Sequence, residues 1–161
     1  MAYKGSIRDG AFGHLIQDAQ VGRCIGCGAE RLAEGFCLSD TAYTTPEYRR
    51  KLDQGLKSED YLKMHNPLQV HTLEVSEPLI TQDTIVADIG CAGGSLLDHI
   101  QNITAEQVAI EPCEIYHERL SGKGYNVFPN LIQSYRDWSG RVELAFSIHV
   151  VEHVSNPKIF S

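Results

Sequence analysis

The hydrophobic pattern changes character near residue 84. Beyond that point, short apolar runs alternate with segments whose apolar residues recur at helical spacing. Four runs have the length and composition of buried strands, at residues 85–89, 107–110, 125–128 and 142–148. Three segments between them predict helices, at residues 95–103, 113–120 and 131–138. Strands and helices that alternate at this length predict an α/β fold, with a parallel sheet covered by helices on both faces.

The chain before residue 84 has a different pattern, and we divide it into two regions. Residues 1–40 form a segment that contains three of the cysteines, and within it we expect residues 1–22, which several glycines interrupt, to be a partly ordered lead-in. Residues 41–81 predict short helices that begin near Pro46, Ser58 and Asn66. Three tyrosines of this region are interpreted mainly as packing residues, with the roof of a pocket as the alternative: Tyr43, Tyr48 and Tyr61. Residues 82–161 then form the α/β domain.

Charge and hydropathy exclude several classes of partner. The formal net charge is −7, and the longest basic cluster is the run Arg49-Arg50-Lys51. Binding to a nucleic-acid backbone favours a basic stripe, so nucleic acid is not the expected partner. No apolar run approaches the roughly 20 residues that span a bilayer, and the N-terminus lacks the apolar core of a secretory signal. We therefore expect a cytoplasmic protein without a membrane partner.

Five cysteines are present, and their number and positions argue against a disulfide framework. Cys24 and Cys27 form a C-x-x-C that a glycine follows, which is the form of a zinc knuckle, and Cys37 is a third candidate ligand. A fourth ligand would come from one of three residues: Asp40, His14 or His65. Plain free thiols remain an alternative. A redox pair is less favoured, because the motif does not open a helix after a strand.

The ends of the predicted strands carry the candidate chemistry. Asp88 ends the first strand before a loop of small residues at 90–94, and Glu111 ends the second. Ligands of open α/β sheets bind beyond these strand ends, and a carboxylate there can accept both hydroxyls of a ribose. A dinucleotide loop would read G-x-G-x-x-G, but Ala92 and Ser95 occupy the second and third glycine positions. The pattern favours a nucleoside cofactor without a pyrophosphate, such as S-adenosylmethionine.

Three segments together carry a family resemblance. They are residues 86–94 (VADIGCAGG), 108–112 (VAIEP) and 143–154 (ELAFSIHVVEHV). They resemble, in order, motif I, the ribose-binding motif and the fourth-strand motif of the class I S-adenosylmethionine-dependent methyltransferases. The resemblance implies a Rossmann-like sheet, methyl transfer to a small-molecule acceptor such as a sugar or another metabolite, and a cofactor site of seven residues: Asp88, Gly90, Cys91, Ala92, Gly93, Glu111 and Pro112. The N-terminal cysteine segment is similar to the lead domain of some sugar C-methyltransferases, although it has one cysteine fewer.

The segment after the fourth strand contains His149, Glu152 and His153. Some members of the family have E-x-x-E-H there and use it to hold a divalent metal, and this chain matches that motif in part. Imidazoles and a carboxylate can also remove a proton from an acceptor, so these three residues are the candidate catalytic groups. A third interpretation is that Glu152 and His153 cap and orient the loop.

The resemblance also implies a fifth strand and an antiparallel pair after the fourth-strand motif, whereas the sequence ends at Ser161. We therefore expect an incomplete sheet whose exposed edge promotes self-association. Two other functions stay open: a non-catalytic binding or scaffold module of the same fold, and, more distantly, a nicotinamide-dependent oxidoreductase.

Overall fold

A computed structural model describes residues 3–8, 15–36, 39–51 and 58–154. Within these ranges the strands are β1 (Tyr3–Arg8), β2 (Leu15–Arg23), β3 (Glu30–Leu32), β4 (Ile85–Ile89), β5 (Glu106–Ile110), β6 (Asn126–Phe128) and β7 (Leu144–Phe146). The α-helices are α1 (Pro46–Lys51), α2 (Ser58–His65), α3 (Val70–Ser76), α4 (Ser95–Ile100), α5 (His117–Gly122) and α6 (Leu131–Trp138). No helix in these ranges has both the length and the apolar character that crossing a bilayer requires.

Strands β4 to β7 form the predicted parallel sheet, in the order β6-β5-β4-β7. Ala87 is in register with Val108 on one side and with Ala145 on the other. The chain steps outward from β4 to β5 and β6, and it then returns to place β7 on the far side of β4. The strand order therefore reverses between β4 and β7, and such a switch point opens a crevice at the carboxyl ends of the strands.

Alternate residues of the sheet face two separate cores, as a period of two requires. Val86 and Ala109 pack into one cluster with Leu97 of α4, whereas Ala87 and Val108 pack into another with Trp138 of α6. The prediction of an α/β fold with helices on both faces is thus confirmed. The fourth strand is shorter than predicted, since its ladder covers only residues 144–146.

The N-terminal region contains a sheet that the hydrophobic pattern did not predict. Strands β1, β2 and β3 pair antiparallel in chain order, with an irregularity between Gly5 and Ile7. Ala19 is the buried residue of β2, and its neighbours on the strand are exposed or half-buried. A strand with so little buried surface has no clear alternation, which explains why residues 1–22 suggested only a partly ordered lead-in.

The region at 41–81 is helical, as predicted. Helices α1 and α2 begin at Pro46 and Ser58, and a 3-10 turn at Asn66–Gln69 with a proline in its first positions leads into α3. Buried Tyr61 of α2 belongs to the same hydrophobic cluster as α4 and α5. Leu73 of α3 also packs against this cluster, so α2 and α3 cover one face of the parallel sheet.

Candidate functional site

One cavity of about 1100 Å³ lies at the switch point, beside the carboxyl ends of β4 and β5 and the loop after β7. Seven residues of the predicted site line it: Asp88, Gly90, Cys91, Glu111, Pro112, His149 and His153. Ala92 and Gly93 belong to the same loop and make the contacts described below. The structure thus brings together residues from three separate sequence motifs.

Glu111 holds the glycine-rich loop in place. Its two carboxylate oxygens accept backbone N–H groups from Ala92 (2.7 Å) and from Cys113 (2.7 Å), and the side chain is 2% exposed. Both oxygens of Glu111 therefore take part in fixing the backbone around the loop. The sequence pattern indicated a ribose contact for this residue and gave no sign that it also anchors the loop.

Asp88 is a buried carboxylate of the same cavity. Burial raises the pKa of Asp88 to about 7, and the negative charge of Glu111 adds to the shift. A group with this pKa exchanges its proton near neutral pH, and a cationic ligand in the cavity would favour its ionised form. Two acidic groups beside one cavity therefore create a site for positive charge.

Both the backbone conformation at position 90 and the nearby side chain of Val150 require a glycine there. Its φ is +77°, and a Cβ built on it would lie 2.4 Å from Cγ2 of Val150. Its amide donates a 2.7 Å hydrogen bond to the carbonyl of Ile110 at the end of β5. The loop after β4 and the loop after β7 therefore touch at a point that only a glycine permits.

Replacing Gly90 with alanine is expected to destabilise the protein more than the same change at Gly140, which has φ +74° with no atom within 4 Å of its Cβ position. Conformational strain alone costs on the order of 1 kcal/mol at Gly140, and overpacking against Val150 adds about 1–3 kcal/mol at Gly90. Urea denaturation of both variants measures the difference. Adding Val150→Ala to Gly90→Ala should recover part of the loss, and equal losses for the two single variants would contradict the contact.

A polar network supports the loop from the side of α4 and α5. Arg119 donates hydrogen bonds to the carbonyl of Gly93 and to Asp98, and the hydroxyl of Tyr125 donates to Asp98 at 2.7 Å. Burial raises the pKa of Tyr125, and its hydrogen bond to Asp98 adds to the effect. Arg119, Asp98 and Tyr125 lie outside the motifs, and only the fold shows that they meet beside the loop.

The helices before the sheet supply an aromatic wall. The ring of Tyr61 stacks on His65 at 4.1 Å, and a Cβ at Gly93 would lie 2.7 Å from Cδ1 of Tyr61. Tyr43, Tyr48 and Tyr61 all line the cavity. Tyr61 is also buried in the core, so it serves the packing role and the roof role together.

The three residues after β7 occupy two environments. His149 has φ +55°, and its Nδ1 lies 3.4 Å from Oε1 of Glu152, with both side chains largely exposed. His153 ends the 3-10 turn Val151–His153, and its Nδ1 lies 3.1 Å from the hydroxyl of Tyr43. Both histidines line the cavity, while Glu152 lies beside His149. Across the described ranges, no three His, Cys, Asp or Glu side chains are grouped so that they could hold a metal ion.

Cys24 and Cys27 lie in the tight turn between β2 and β3. The amide of Gly28, at φ +76°, donates to the carbonyl of Cys24 at 2.9 Å, and the amide of Cys24 donates to Ala29 at 2.8 Å. Hydrogen bonds from the backbone of Cys27 and Gly26 lower the pKa of Cys24. The predicted third ligand, Cys37, and one candidate fourth ligand, His14, lie outside the described residues. Another candidate, His65, is instead part of the cavity wall.

The cysteines should differ in their rates of alkylation. Cys24 and Cys27 are exposed, whereas Cys91 and Cys113 are buried, and burial raises the pKa of Cys91. Because the free thiolate is the reactive form, a short iodoacetamide pulse at pH 7.5 on protein treated with a metal chelator should modify Cys24 at least about tenfold faster than Cys91. Peptide mass spectrometry gives both rates in one sample. Labelling of Cys91 as fast as that of Cys24 would show that the loop is open.

No protein family model matches the sequence, and no curated protein does so. The fold by itself shows the class: an α/β protein with a four-stranded parallel sheet and helices on both faces, consistent with a Rossmann-like domain. Its cavity lies where ligands of such sheets bind.

Proposed function

We propose that the protein binds S-adenosylmethionine in this cavity and transfers its methyl group to a small-molecule acceptor. The observation that carries the proposal is the pair Asp88 and Glu111, two buried acids at the carboxyl ends of adjacent parallel strands, beside the glycine-rich loop and in one cavity. The resemblance of three motifs to class I methyltransferases supports the same assignment.

The chemistry of the residues fits this cofactor. Glu111 presents a carboxylate at the end of β5, and the two oxygens of a carboxylate suit the two hydroxyls of a ribose. Asp88 complements the ammonium group of the cofactor's amino-acid tail. The cavity volume of about 1100 Å³ slightly exceeds the roughly 300–1,000 Å³ of ordinary ligand pockets, and it leaves room for an acceptor beside the cofactor.

When bound, S-adenosylmethionine supplies an electrophilic methyl group on a sulfonium sulfur. The protein's contribution is then to orient the acceptor and to exclude water, which the aromatic wall supports. A hydroxyl or carbon acid must also lose a proton, and His149 and His153 are the bases that line the cavity. Tyrosine faces and polar groups in one wall favour a sugar or a similar polar metabolite as acceptor.

A thermal-shift panel separates this proposal from its rivals. S-adenosylmethionine and S-adenosylhomocysteine should raise the melting temperature, while NAD⁺ at the same concentration should leave it unchanged. Stabilisation by NAD⁺ alone would favour the oxidoreductase. Stabilisation by both sulfur cofactors without any formation of S-adenosylhomocysteine, across a set of sugar and metabolite acceptors, would favour a non-catalytic binding module.

We also propose that the turn between β2 and β3 contributes Cys24 and Cys27 to a structural zinc site, with Cys37 as the third ligand. The exposed thiols on a glycine-containing turn, with backbone N–H groups that lower the pKa of Cys24, suit two thiolate ligands. Elemental mass spectrometry should find one zinc per chain, and none in a variant with both Cys24 and Cys27 changed to serine. Zinc-free protein whose two thiols form a disulfide on mild oxidation would instead favour the redox alternative.

A further inference from the structure

The N-terminal region reaches the loop that carries His153 at two points. The hydroxyl of Tyr43 lies 3.1 Å from Nδ1 of His153, across 110 residues of sequence. The guanidinium of Arg31, in β3, donates a 3.3 Å hydrogen bond to the carbonyl of Val154. The loop after β7 is thus held by residues that lie outside the parallel sheet and its motifs.

The rings around Tyr43 restrict its orientation. Its ring meets Tyr48 edge-on, with centroids 4.7 Å apart, and packs against His153 with centroids 5.2 Å apart. Tyr43, Tyr48 and His153 all line the cavity that holds Asp88 and Glu111. The hydroxyl of Tyr43 thus meets the imidazole at Nδ1 and not at Nε2.

We propose that Tyr43 is a positioning residue for His153. The hydroxyl oxygen of Tyr43 accepts the hydrogen bond from Nδ1–H, which keeps the imidazole in the tautomer with a free lone pair on Nε2. The inference rests on the proposed methyl transfer and specifies how its base is prepared. The opposite arrangement, in which the Tyr43 hydroxyl donates to Nδ1, would leave a proton on Nε2 and prevent it from accepting another.

In the proposed methyl transfer, His153 takes up the proton that the acceptor loses. The acceptor's oxygen forms a bond to the methyl carbon as the carbon–sulfur bond breaks, and that bonding pair stays on sulfur. The proton of the acceptor's hydroxyl moves to Nε2 of His153. The imidazolium that forms retains its Nδ1–H bond to Tyr43, which also stabilises its orientation.

Nitrogen-15 NMR of the histidine rings tests the inference without any acceptor. The ring signals of His153 are assigned by their loss in His153→Gln. We expect the Nδ1–H tautomer in the wild-type chain and a shift of the population to Nε2–H in Tyr43→Phe. Tyr135→Phe, which removes a hydroxyl from the exposed face of α6, serves as the matched control and should leave the tautomer unchanged. An Nε2–H tautomer in the wild-type chain, or the same tautomer in wild type and Tyr43→Phe, would overturn the inference.

Two further measurements separate this inference from the proposed function. Circular dichroism melting checks that Tyr43→Phe remains folded. Once an acceptor is identified, Tyr43→Phe should lower kcat about tenfold with KM within about twofold, because a misoriented base affects the transition state more than binding. Failure of the wild-type chain to bind S-adenosylhomocysteine would reject the proposed function, while the NMR experiment would still decide whether Tyr43 sets the tautomer of His153.

Discussion

Replacing Glu111 with alanine is expected to lower the affinity for S-adenosylhomocysteine by at least about 100-fold. The carboxylate accepts backbone N–H groups from Ala92 and Cys113, so the change frees the glycine-rich loop and also removes the acceptors for the ribose. Hydrogen bonds to charged groups are worth about 1.5–3 kcal/mol each, and each 1.4 kcal/mol is a tenfold change in affinity. Isothermal titration calorimetry measures the loss directly.

Two variants make this result interpretable. Glu118→Ala removes an exposed acid from α5 and should bind the cofactor like the wild-type chain. Glu111→Gln keeps the shape but turns one oxygen into an NH₂ donor, which would face a backbone N–H donor at Ala92 or Cys113. It should therefore be nearly as weak as the alanine variant. Wild-type affinity in Glu111→Gln would show that the carboxylate does not anchor the loop.

Changing Asp88 to asparagine is expected to stabilise the free protein at pH 8, and to stabilise it by only about a third as much at pH 5. The pKa of Asp88 is raised from 3.8 to about 7, chiefly by burial. Between pH 3.8 and about pH 7, Asp88 is therefore protonated in the folded chain and ionised in the unfolded chain. The contribution of this group to folding stability falls as the pH rises through that window. The whole effect is on the order of a few kcal/mol. Denaturant titrations at both pH values, with exposed Asp83→Asn as the control, measure it.

The same carboxylate should make cofactor binding depend on pH. If the ionised form of Asp88 attracts the cationic cofactor, only the ionised fraction of the protein is competent to bind, and that fraction rises about tenfold between pH 6 and pH 8 for a pKa near 7. The affinity for S-adenosylmethionine should rise accordingly in the wild-type chain and in Asp83→Asn. Subtracting the profile of Asp88→Asn removes the ligand's own titration. Parallel profiles for wild type and Asp88→Asn would exclude Asp88 from the charge complementarity.

The parallel sheet was predictable because its signals are local. Val86 and Ala87 alternate between two cores, and Val108 repeats the pattern on the next strand, so the apolar runs alone indicate buried strands. The β1–β3 sheet was not predictable from its pattern, because Ala19 is the buried residue of β2 and the strand's other side chains are exposed or half-buried.

The candidate site was predictable only where residues adjoin a motif. Asp88 and Glu111 follow strand ends, and the topology brings their carboxyl groups to one cavity. The contacts of Tyr43 with His153 and of Arg119 with Gly93 join residues that are far apart in sequence. Such pairs depend on how helices and loops pack on the sheet, and nothing in the residue types at 43 or 119 indicates the partner.

Titration of S-adenosylhomocysteine into the 161-residue chain by isothermal calorimetry tests the central claim most directly. We predict binding at one site per chain, with an affinity that Glu111→Ala lowers at least about 100-fold and that Glu118→Ala leaves unchanged. A chain that is folded by circular dichroism and gives no binding heat, at several temperatures and up to millimolar ligand, would contradict the assignment of this cavity to S-adenosylmethionine.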